Sequence, residues 1–88
     1  MANVRLRIPY SFQKAVEAPM LIDTTCEIKE GLLELDPKTH PGVVELARDG
    51  QKKKNLAVLL DGIPLKDPNP ELSEVREITL VPIFGDTQ

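Results

Sequence analysis

The stretch Glu77-Ile78-Thr79-Leu80-Val81-Pro82-Ile83-Phe84-Gly85-Asp86-Thr87-Gln88 is the one on which the fold turns. Residues 77–83 alternate and are rich in β-branched side chains, which is the pattern of a strand. Pro82 has no N–H to give to a ladder and marks the strand's end. A tail with the lone Gly85 projects beyond it. A domain over residues 1–82 followed by a tail over 83–88 is expected to present that tail to another protein. The six residues after Pro82 span about 20 Å when extended.

A strand at this end needs a neighbour, and the other end supplies one. Val4, Leu6 and Ile8 alternate with Arg5 and Arg7, the period of a half-buried strand. A second strand is expected over Val16 to Asp23, at an edge because of Pro19. Thr24 with Glu27 three residues on reads as a capping box opening a helix. Ile28, Leu32 and Leu35 continue it as an apolar stripe, with Gly31 inside, and Asp36-Pro37 ends it. His40-Pro41-Gly42 starts a second, short helix, with Val43, Val44, Leu46 and Ala47 as its apolar positions and Asp49-Gly50 as its stop. Leu56 to Leu60 is continuously apolar and reads as a buried strand. Asp61-Gly62 is a turn, Ile63 to Leu65 a short strand, and Lys66 to Pro70 a loop. The expected order closes most economically as a mixed sheet with a right-handed crossover on one face. The first and last strands then pair in parallel at its centre. The expected fold class is therefore α+β, a β-grasp (ubiquitin-like) sheet of four or five strands with one main helix and one short helix.

Eighty-eight residues make one domain. The only aromatics are Tyr10, Phe12 and Phe84, so the core must be aliphatic and platforms for stacking nucleic-acid bases are lacking. The net charge of −3 argues against nucleic acid or an anionic membrane surface as the main partner. No apolar run approaches membrane-spanning length. The N-terminal residues lack the apolar segment of a secretory signal, and the single Cys26 cannot form an internal disulfide. A cytoplasmic setting is the expectation.

In order and spacing, four stretches together resemble the MoaD/ThiS group of ubiquitin-like sulfur carriers. They are Val4-Arg5-Leu6-Arg7-Ile8-Pro9, His40-Pro41-Gly42-Val43, Leu56 to Gly62 with Ile63-Pro64-Leu65-Lys66-Asp67, and Glu77 to Pro82. The resemblance covers nearly the whole chain. It implies a protein that is not itself an enzyme. Such a protein docks on an E1-like adenylating enzyme or a larger synthase subunit and carries sulfur as a C-terminal thiocarboxylate, in molybdopterin biosynthesis or a related pathway. Members finish in Gly-Gly, and glycine suits a tail that must thread a narrow channel. This chain departs from the pattern: Gly85 stands alone and Asp86, Thr87 and Gln88 follow it. Charging would need trimming after Gly85, leaving Ile83, Phe84 and Gly85 as the presented tail. The alternative is a β-grasp interaction module or regulatory subunit that is never charged.

No catalytic constellation is legible. His40 has no second histidine with which to bind a metal, and it reads as a turn residue. Cys26 reads as an ordinary residue of a helix start. Lys52-Lys53-Lys54 reads as a solvated loop and Glu27, Glu30 and Glu34 as the wet face of a helix. Neither a phosphate loop nor a Ser/His/Asp set is present, so no cofactor and no metal are expected. Leu21, Leu80 and Ile83 are the candidates for an open apolar patch on which a partner docks.

Overall fold

The computed structural model describes residues 2–83. Its elements are β1 (Ala2–Arg7), α1 (Tyr10–Val16), β2 (Leu21–Lys29), β3 (Leu32–Leu35), α2 (Pro41–Lys52), β4 (Leu56–Leu60), β5 (Ile63–Pro64) and β6 (Glu77–Pro82). The strands form one mixed six-stranded sheet in the order β3-β2-β1-β6-β4-β5. The class is α+β. The strand number is six, not the expected four or five.

The central pairing is the expected one. β1 and β6 run parallel, with Leu6 opposite Ile78, and every other pair in the sheet is antiparallel. Alternation along these strands sends Val4, Leu6, Ile8, Ile78 and Leu80 to one face, where each is at most 5% exposed. Val58 from β4, Cys26 and Ile28 from β2, and Leu33 and Leu35 from β3 join them, and Val43 and Ala47 of α2 close the layer. Burying each large aliphatic here contributes about 1.5–3 kcal/mol. The other face of the sheet is not covered by α2.

The segment 24–36 is not a helix. It holds most of β2 and all of β3, joined at Glu30-Gly31, where both residues have positive φ, 54° and 80°. That is the backbone of a two-residue hairpin turn whose twist matches the flanking strands. Gly31 is the residue such a turn requires, not a weak point inside a helix. The β-branched Ile22, Thr24, Thr25 and Ile28 favour the extended form, and pairing with β1 from Ala2↔Cys26 to Arg7↔Leu21 secures it. β2 is consequently an interior strand, and Pro19 lies in the connection before it. The hairpin tip is tied down from across the molecule: Gly31 N–H donates to the Pro68 carbonyl at 2.8 Å, and Glu30 N–H donates to Asn69 Oδ1 at 3.2 Å.

The short helix of the structure is α1, between β1 and β2; it takes in Val16, so the strand expected from Val16 begins only at Leu21. Pro9 precedes α1, and Phe12 and Val16, four residues apart, pack against the core. The main helix is α2, twelve residues long. His40 caps it, its Nδ1 accepting from Gly42 N–H at 3.2 Å, and Pro41 occupies the first turn. The helix runs past Gly50, the expected stop, to Lys52. At Gly50 a missing side chain lets β4 come close.

Candidate functional site

The uncovered face of the sheet is a surface built by strand register. Arg7 stands opposite Leu21 on one side and Thr79 on the other. Thr79 stands opposite Leu59, and Leu59 opposite Pro64. One step along, Val81 stands opposite Ala57. Side chains that are directly opposite on adjacent strands share a face, so Leu21, Arg7, Thr79, Leu59 and Pro64 form a row across the sheet. Arg7 is held flat by Glu77, with Nε–Oε2 at 3.3 Å and Nη2–Oε1 at 3.4 Å. Arg5 pairs with Asp23 in the neighbouring row at 3.3 Å.

At the end of this face where β6 finishes, a shallow groove of about 400 Å3 opens between Arg7, Tyr10, Met20, Val81 and Pro82. Tyr10 is 71% exposed and Met20 50%. Both sit on the connection between β1 and β2, Tyr10 at the first residue of α1. Lys14, one turn along, places its ammonium 5.7 Å from the Tyr10 ring centre. The rim is therefore aromatic and cationic while the floor is aliphatic. Exposed large apolar side chains gathered at one place mark an interaction surface.

The chain leaves the sheet beside this groove. Ile83 is 48% exposed, and its N–H donates to the Asn55 carbonyl at 2.9 Å. That bond fixes the first residue after the strand. On the helix side, Phe12, Leu46, Gly50 and Asn55 line a second depression against Pro82 and Ile83. The exit point thus has apolar ground on both sides.

Of the expected docking residues, Leu21 and Ile83 lie on the surface. Leu21 is half-buried on the open face. Leu80 does not belong there. It is 1% exposed and points into the core under α2, because β6 sends Ile78 and Leu80 one way and Thr79 and Val81 the other. Val81 takes the place expected for Leu80. Phe84 and Gly85 lie outside the described residues. Tyr10 and Met20 were not anticipated. The signal for Tyr10 was Pro9 ahead of the Phe12/Val16 spacing, which starts a helix and leaves its first residue at the rim.

The remaining chemistry-bearing residues stay apart from this site. Cys26 is fully buried, and loss of solvation pushes its thiol up to about 11. It lies in the middle of a strand, not in a helical turn. Asp36 is held below its ordinary value by the Lys38 N–H on Oδ1 and the Thr25 hydroxyl on Oδ2, both at 2.9 Å. Thr24 and Thr39 share a hydroxyl–hydroxyl hydrogen bond. These bonds tie the segment after β3 to β2. Among the described residues, no three His, Cys, Asp or Glu side chains gather as a metal site. No helix among them is long and apolar enough to cross a membrane.

The comparisons with known proteins do not extend this description: no family model, no curated protein and no solved structure matches the chain.

Proposed function

We propose that this chain is a ubiquitin-like, β-grasp protein of the sulfur-carrier kind. It docks its open sheet face on a larger partner, an E1-like adenylating enzyme or synthase subunit, and presents the tail Ile83-Phe84-Gly85 to that partner's active site. The observation that carries the reading is the placement of the exit at Pro82 and Ile83, directly beside the groove of Tyr10, Met20 and Val81. A partner seated on that groove receives whatever follows β6 without any rearrangement of the sheet. The parallel pairing of β1 and β6 at the sheet's centre, under a single long helix, supports the β-grasp assignment. The protein's own part is mechanical: it holds the tail, and the adenylation and sulfur chemistry belong to the partner.

Cleavage after Gly85 removes Asp86 and leaves a terminal carboxylate on a residue without Cβ. The side-chain carboxylate of Asp86 would otherwise stand near the nucleotide phosphates. Intact-mass spectrometry of the protein purified from its native host tests the proposal. A species ending at Gly85, heavier by the exchange of one carboxylate oxygen for sulfur, is expected. Finding only the untrimmed mass in every fraction overturns it.

A second reading rests on Asp86-Thr87-Gln88, which replace the Gly-Gly end of sulfur carriers. In it the domain is a docking module that is never charged. Under this reading, partner capture survives removal of residues 84–88, whereas the sulfur-carrier reading requires those residues for product formation.

A further inference from the structure

The two edges of the sheet are finished differently. β5 is two residues long, and one of them is Pro64, which has no N–H to offer. β3 is the other edge. The Asp36 backbone N–H donates inward to the Thr25 carbonyl at 2.9 Å, so by alternation Leu33 and Leu35 turn their main-chain groups outward, away from β2. At Leu33 the edge is covered by a side chain. Gln51 of α2 accepts from Leu33 N–H at 2.8 Å and donates to the Leu33 carbonyl at 3.0 Å. At Leu35 no such cover exists among the described residues.

Beside this edge a groove of about 420 Å3 runs between β3 and α2. Leu33, Leu35 and Ala47 form its buried floor and Val44 its wall; on the exposed rim Arg48 and Lys52 of α2 face the single carboxylate of Glu34 on β3. Neither Arg48 nor Lys52 has an ion-pair partner among the described residues.

We propose that β3 and this groove take one extended segment of a partner protein, apolar at alternate positions and flanked by acidic residues. Main-chain bonds to Leu33 and Leu35 supply the pairing. Alternate side chains of an added strand fall on one face and so enter the groove, and its acidic flanks meet Arg48 and Lys52. Gln51 is the group displaced, and its two bonds to Leu33 are replaced like for like by those of a peptide unit. A second copy of this chain fits less well. Pairing β3 with β3 would bring both pairs of rim cations together on one side, and Glu27 and Glu34 of both copies together on the other, and like charges facing across strands repel. This site is separate from the open-face groove and does not depend on the sulfur-carrier reading.

The test is a nuclear magnetic resonance titration of the full chain. The probe is a peptide in which valine or isoleucine alternates with threonine, with two aspartates at each end. Shifts are expected at Leu33 to Leu35, Val44, Arg48 and Gln51, with the Leu35 amide slowed in hydrogen exchange. Arg48→Glu combined with Lys52→Glu, both exposed positions, is expected to weaken binding about tenfold, as is replacing the aspartates by lysines. Gln51→Ala is expected to tighten it, because Leu33 is then open. No shift at about 1 mM peptide, a weak-binding limit, overturns the proposal. Shifts confined to the open face, equal binding of the lysine peptide, or self-association through β3 without peptide each overturn it as well.

Discussion

Gly50 and Leu56 bring the main helix hard against β4: a Cβ built on Gly50 would stand 2.9 Å from the Leu56 Cβ. Both residues are anchored, since Asn55 N–H donates to the Gly50 carbonyl at 3.0 Å and Leu56 is paired with Pro82 in the ladder. Gly50→Ala would gain at most about 1 kcal/mol in helix propensity. Overpacking against a side-chain root costs about 1–3 kcal/mol. The net expectation is destabilisation by up to about 2 kcal/mol, read as a lower urea midpoint with an unchanged slope. A rise in the midpoint would show that α2 shifts freely on β4.

Leu80 and Val81 are neighbours in sequence that separate stability from docking. Leu80→Ala opens a cavity in the core and is expected to cost about 2–5 kcal/mol. Val81→Asp places a charge on the open face, and thermal unfolding is expected to change by less than about 1 kcal/mol. If the proposed sulfur-carrier reading holds, capture of an adenylating partner falls nonetheless by tenfold or so, about 1.4 kcal/mol. Undiminished capture by Val81→Asp would remove the open face from the proposed interface.

Gln51 makes three hydrogen bonds, two to Leu33 and one from Nε2 to the Ala47 carbonyl at 3.0 Å. Gln51→Ala is expected to lower stability by about 1–2 kcal/mol and to speed exchange of the Leu33 amide above all others in β3. If the Leu33 amide exchanges unchanged, the helix does not guard that edge.

Cys26 gives a pH dependence of definite sign. Its folded value of about 11 lies above the ordinary thiol value of 9.0, so the unfolded chain loses its proton first. The associated stability is whole below pH 9 and is lost as pH rises toward 11, by on the order of 2 kcal/mol. Cys26→Ala should flatten that alkaline loss. In the native state the thiol is expected to resist alkylation at pH 8 and to react once denaturant is added. Rapid native-state alkylation would contradict its burial.

The strands at the centre were legible because their pattern is unambiguous. Val4 and Leu6, the run from Leu56 to Leu60, and Ile78, Thr79, Leu80 and Val81 all read as strands, and strands they are. The segment 24–35 misled because two local patterns coincide. Thr24 and Glu27 imitate a helix cap, and Ile28, Leu32 and Leu35 keep helical spacing. Pairing with β1, which no local window contains, decides for the hairpin. The make-up of the open face was half legible. Leu21 and Ile83 sit where expected, but Leu80 required knowing which parity of β6 faces α2, and the core contacts of Ile78 set that. Tyr10 and Met20 lie in a connection whose helix was missed; Pro9 ahead of the Phe12/Val16 spacing signals Tyr10, but nothing local sets Met20 beside Val81.

The unlike finish of the sheet's two borders limits how many such molecules can be joined through their main chains. Pro64 closes one border and only the Leu33–Leu35 side can accept a guest, so the protein is monovalent in this mode of attachment. A strand added at β3 leaves no second open border among the described residues, so pairing of this kind ends in a discrete complex and not in a fibre.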